Sequence, residues 1–147
     1  MKKIIILFLI SIFLCYGEIK NATFDEIKNS INLIEETVKL GKEDFIPIFS
    51  QAIEIEKRAI TKYYAEKIAE KICKTTKIEK GKLEELRKKF SFFDISIAWA
   101  INQVKGKSIE DILKEKEKNN WYNILTEIDI NTLEEKIKEL NPKLKTF

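Results

Sequence analysis

FFDISIAWAINQV, residues 92–104, decides how the chain is read. Phe92, Phe93, Ile95, Ile97, Ala98, Trp99, Ala100, Ile101 and Val104 leave almost no polar side on a helical wheel. A helix that is apolar nearly all round belongs in the middle of a fold, walled by other elements. At 1.5 Å per residue the segment reaches about 20 Å, too short to cross a bilayer. The expectation is a central buried helix, stopped by Gly106.

Outward from it, every other segment reads as amphipathic helix. On the C-terminal side Ser108 caps a helix through Ile109, Ile112 and Leu113. Asn119 and Asn120 interrupt the pattern, and Trp121, Ile124, Leu125 and Ile128 mark another short face. Thr132-Leu133-Glu134-Glu135 has the spacing of a capping box, opening a last helix through Ile137 and Leu140 that Asn141-Pro142 ends. On the N-terminal side Thr23-Phe24-Asp25-Glu26 is a second capping box. Phe24, Ile27, Ile31, Ile34 and Val38 then recur at spacings of three or four, one apolar stripe that Gly41 terminates. A longer helix is expected from about Asp44 to Lys74, with Pro47 in its first turn, where it costs no hydrogen bond. Two such helices joined by a short turn must bury their stripes, and an antiparallel hairpin follows.

No segment alternates apolar and polar residues with strand periodicity. The expected fold class is all-α: an N-terminal signal helix, a hairpin over about 23–76 and a helical cluster over about 82–141.

The first residues carry a different signal. Lys2 and Lys3 precede an apolar run from Ile4 to Leu14, then Cys15, Tyr16 and Gly17. A short basic region followed by an apolar stretch of this length is what the secretion machinery reads. Residues 1–17 are expected to be a signal peptide cut after Gly17, leaving residues 18–147 as a single helical domain in the periplasm or outside the cell. The alternatives are a retained membrane anchor and lipid attachment at Cys15, although Leu14 in front of that cysteine fits a lipoprotein signal poorly. Without the leader's two lysines the formal charge falls from +3 to +1. A nearly neutral chain has no global electrostatic reason to seek nucleic acid or an anionic membrane. Cys73 is then the sole cysteine, on an apolar stripe beside Ile72, and reads as a buried structural thiol.

A resemblance enters between Phe92 and Ile128. Gly106, Ser108, Glu110, Asp111, Ile112 and Leu113 form a Gly-x-Ser-x-Glu-Asp-Ile-Leu box, followed by Trp121 and Ile124 in a Trp-x-x-Ile element. This resembles the C-terminal part of a loose group of small, uncharacterised exported bacterial proteins; that group often has glycines where this chain has Asn120 and Tyr122 beside the tryptophan. The resemblance covers about a quarter of the chain. It implies export and a helical body, and brings no chemistry.

Composition removes most activities. The chain has no histidine, so His-dependent triads, zinc helices and Glu-x-x-His di-iron bundles are excluded. No glycine-rich phosphate loop is present. Glu84–Glu85 and Glu134–Glu135 are adjacent, so on a helix they do not face the same way. Residues 119–130 contain no Lys or Arg, which argues against a DNA-reading second helix. The expectation is a non-enzymatic protein with no cofactor and a protein partner, touching membrane only through the leader or a lipid at Cys15. The alternatives are a holdase-like chaperone and an enzyme whose site would show a cleft with a carboxyl or lysine of displaced pKa. Two candidate contacts stand out: the basic stretch Lys74, Lys77, Lys80, Lys82, Arg87, Lys88 and Lys89, and an exposed aromatic pair, Trp121 and Tyr122.

Overall fold

The structure, a computed structural model, describes residues 18–142. The expected leader, its cleavage after Gly17 and lipid attachment at Cys15 lie outside the described residues. Those described are helical, with no strand among them. In chain order the helices are α1 (Phe24–Lys39), α2 (Ile46–Arg58), α3 (Lys62–Thr76), α4 (Lys80–Lys89), α5 (Phe92–Lys105), α6 (Ile109–Lys118), α7 (Trp121–Leu125) and α8 (Ile130–Leu140). A 3-10 turn at Glu43–Phe45 leads into α2. Among the described residues no helix is long and apolar enough to cross a membrane.

Helix α5 is central, as its composition requires. It packs against α2, α6 and α8 and also touches α3. Residues 92, 93 and 95–101 are all buried. Its start is capped by Ser91, whose hydroxyl accepts from the Asp94 amide at 3.2 Å. Gly106 ends it at φ +75°, a conformation in which a side chain would be strained. Ser108 caps α6, accepting from the Asp111 amide at 3.2 Å. At the other end of the chain both halves of the Thr23–Glu26 capping box form.

Three expectations are corrected. First, the long helix over 44–74 is broken at Ala59–Thr61 into α2 and α3. No glycine or proline marks the break. Thr61 makes it, accepting from the Tyr64 amide as the cap of α3. The freed carbonyls are taken by the N-terminal segment: the Ala22 amide donates to Ala59 O at 2.9 Å, and Asn21 Nδ2 donates to Ile60 O at 3.1 Å. Buried backbone groups must find partners, and here residues 39 positions away supply one of them.

Second, α1 is rotated from the orientation that its apolar stripe suggests. Ile27, Ser30 and Thr37 are its buried residues, while Phe24 is 80% exposed, Val38 50% and Ile31 42%. The buried hydroxyls explain the rotation. Ser30 Oγ lies 2.6 Å from Glu56 Oε2, and Thr37 Oγ1 lies 2.7 Å from the Tyr122 hydroxyl. Third, α8 begins one turn before the expected capping box. Asp129 is its cap, accepting from the Thr132 amide and hydroxyl.

The last helix is tied back at its end, where Arg58 donates to the Pro142 carbonyl and Lys71 to the Glu139 carbonyl. Helix α3 ends on Lys77 at φ +64°, the left-handed region where side chains are disfavoured and glycine is free. Lys77→Gly is expected to stabilise the fold by about 0.5–1 kcal/mol, less whatever glycine adds to unfolded-chain entropy. A urea titration measures it, and a loss of stability would contradict this account of the turn.

Candidate functional site

An open cleft of about 700 Å³ lies between α1, the start of α5, and the α6–α7 junction. Its α1 wall carries Glu26, Asn29, Ser30, Asn32, Leu33, Glu36 and Leu40, and Phe93, Asp94, Asn120, Trp121 and Tyr122 line the opposite side. Lys42, Lys89 and Lys116 stand around it. The three lysines come from three separate segments, so no local pattern announces them.

The tertiary packing of aromatic rings builds one end of the cleft. Phe49 stacks with Phe45 and meets Phe93 and Tyr122, with ring centroids 5.6–6.2 Å apart. Lys42 Nζ lies 5.3 Å from the Tyr122 ring and Lys116 Nζ lies 5.8 Å from the Trp121 ring, both within the range of cation–π attraction. Trp121 Nε1 donates to Asp94 Oδ1 at 2.8 Å. Burial pushes the Asp94 carboxyl up, opposed by the Trp121 hydrogen bond and the nearby Lys116 charge.

Behind this wall sits Glu56 of α2, 0% exposed. Burial pushes its carboxyl up to about 7, Glu26 and Asp94 add to the rise, and the Ser30 hydroxyl and the Phe93 backbone amide oppose it. The hydrogen-bond geometry agrees independently. Ser30 Oγ contacts both Glu56 Oε2 at 2.6 Å and the Glu26 carbonyl at 3.0 Å. A hydroxyl has one hydrogen to give. A protonated Glu56 resolves this by donating to Ser30, which then donates to the Glu26 carbonyl. Among the described residues Glu56 Oε1 is buried without a close hydrogen bond, and the Phe93 backbone amide gives the carboxyl only a minor counterweight to burial.

The basic stretch does not form one patch. Arg87 is 1% exposed and all five of its N–H groups are used. Nε donates to Lys20 O, Nη1 to Glu26 Oε2 and Phe90 O, and Nη2 to Asn21 O and Glu26 Oε1, at 2.6–3.0 Å. Its guanidinium also lies 4.9 Å from the Phe92 ring centre. Arg87 is thus a latch holding residues 20–21 against α1 and α4, and is withdrawn from any partner surface. For Glu26, burial favours the neutral acid, but the Arg87 guanidinium and the Thr23 bonds outweigh it and hold the carboxyl low.

Lys80 pairs with Glu66 at 3.0 Å, and Lys82 with Glu85 and Glu110 at 3.8 and 3.7 Å. Lys74, Lys77 and Lys88 are exposed, and Lys89 borders the cleft. Trp121 and Tyr122, expected to be exposed, are 2% and 6% exposed; they form the cleft's wall. Cys73 is half-buried, with its thiol pushed up by burial, an unreactive disposition. Among the described residues no cluster of three or more cysteines or carboxylates is placed to hold a metal ion. No protein-family model matches the chain, and no curated protein and no solved structure matches it either.

Proposed function

We propose that the chain is an exported, non-enzymatic binding module that engages a protein partner through the cleft between α1, α5 and α7. The observation that carries this reading is the charge balance of the cleft, whose three lysines face a single exposed acid without an ion pair among the described residues, Glu36. Glu26 is neutralised by Arg87, and Asp94 is bonded to Trp121. Asn29 and Asn32 offer donors and acceptors suited to an extended backbone, and Asn120 adds its Nδ2 group, its Oδ1 being used to cap α7. Lys42, Lys89 and Lys116 leave the rim with an excess of available positive charge. An acidic peptide segment fits that balance.

Replacing Lys42, Lys89 and Lys116 together by Glu is expected to weaken partner recovery from the native envelope at least tenfold, a loss of about 1.4 kcal/mol or more. The matching reversal of Lys74, Lys77 and Lys88 is expected to leave recovery unchanged. Equal losses from both triples would contradict the assignment to the cleft.

A second reading is an acid–base enzyme, favoured by the raised carboxyls of Glu56 and Asp94. A general acid must come within hydrogen-bond reach of its substrate; Glu56 is fully buried behind Ser30, and Asp94, which lines the cleft, has Oδ1 held by Trp121. The binding reading therefore takes precedence.

A further inference from the structure

Helix α1 carries an apolar row that no other described residue covers. Phe24, Ile31 and Val38 are all exposed and lie seven residues apart. Seven residues fall about 20° short of two full turns, so the three side chains form one nearly straight seam. The rise per residue places Phe24 and Val38 about 10 Å to either side of Ile31. Cleft residues Asn29, Glu36 and Leu40 fall on the opposite side of the same helix, about 140–180° away.

The geometry points to a second copy of this chain as the occupant of that row, docked antiparallel with the two-fold axis passing by Ile31. This goes beyond the cleft reading and does not rest on it. In a two-fold pair each contact between different positions occurs twice. Ile31 then meets Ile31 of the second copy, and Phe24 meets its Val38, so a large side chain opposes a smaller one at both ends.

Charge selects the same arrangement. Lys28 and Glu35 are exposed, and neither forms an ion pair among the described residues. Both flank the row on one side, at about 60° and 40° from it. Lys28 precedes Ile31 by three residues and Glu35 follows it by four. In an antiparallel pair like flanks face each other, so each Lys28 comes level with the other copy's Glu35 to within about 1.5 Å along the axis. Two ion pairs then frame the apolar seam. A parallel pair would set those charges against the Ile27 and Ile34 flank of the other copy, leaving them unpaired. Contact through one helix of 16 residues is small by the standard of permanent interfaces, so the association is expected to depend on concentration.

Disulfide trapping in the full chain within its native envelope tests this directly, with Cys15 and Cys73 replaced by Ser. Ile31→Cys is expected to give a covalent dimer under mild oxidation. Phe24→Cys is expected to cross-link to co-expressed Val38→Cys and not to itself. Self-cross-linking of Phe24→Cys, or no trapping at Ile31→Cys, overturns the proposal.

Sedimentation of the purified full chain supplies the second readout. The parent is expected to dimerise below about 100 µM, and Ile31→Glu to remain monomeric with an unchanged helical circular dichroism spectrum. A monomeric parent at that concentration overturns the proposal. A full chain that dimerises only after residues 1–17 are removed assigns the row to that apolar segment and overturns it equally.

Discussion

Replacing Arg87 by Ala is expected to destabilise the fold by about 3–5 kcal/mol, the cost typical of stripping one partner from a buried ion pair. Loss of the guanidinium leaves Glu26 partly buried without its cation and three backbone carbonyls, those of Lys20, Asn21 and Phe90, without donors. It also frees the segment that seals the break between α2 and α3 through Ala22 and Asn21. Arg87→Lys is expected to recover only a minor part of this, because an ammonium has three donors and no planar fork. Urea unfolding followed by circular dichroism measures both. A change below about 1 kcal/mol, the size usual for a surface charge, would mean that Arg87 is no latch.

The second large effect is a pH dependence centred on Glu56. The folded chain holds its proton up to about pH 7, whereas the ordinary value is 4.5. Folding therefore binds a proton across that interval. The stability that Glu56 contributes is complete below pH 4.5 and is lost as pH rises through 7. The loss is on the order of 3 kcal/mol. Glu56→Gln keeps the shape and cannot ionise. It is expected to match the parent within about 1 kcal/mol at pH 4 and to exceed it by about 2–3 kcal/mol at pH 8. Asp94, whose carboxyl is raised in the same sense, is coupled to Glu56, so the difference reports Glu56 together with that coupling. A difference that stays flat between pH 4 and 8 would contradict the buried-acid assignment.

Both features show where reading the chain succeeds and where it fails. The position of α5 is legible because a segment apolar on every side has one place to go. The caps at Thr23 and Ser108 are legible because each acts on an amide three residues away. The orientation of α1 is not, since hydropathy ranks Phe24 and Ile31 above Ser30 and Thr37. The hydroxyls are buried because Glu56 and Tyr122, 26 and 85 residues away, need partners. Arg87 looks like its neighbours Lys88 and Lys89, and only the approach of Glu26 across 61 residues sets it apart. The cleft is illegible for the same reason, as Lys42, Lys89 and Lys116 are brought together by packing alone.

The excess of cations over free acids in the cleft makes its rim the central claim. A photo-reactive residue at Asn120, exposed on that rim, tests it most directly when cross-linked in the native envelope and read by mass spectrometry. The account predicts that one acidic peptide segment of a partner is captured there and again from Asn32 on the facing wall, while a probe at Lys74 captures none of it. Capture of that segment from Lys74 with nothing from Asn120 or Asn32 would contradict it.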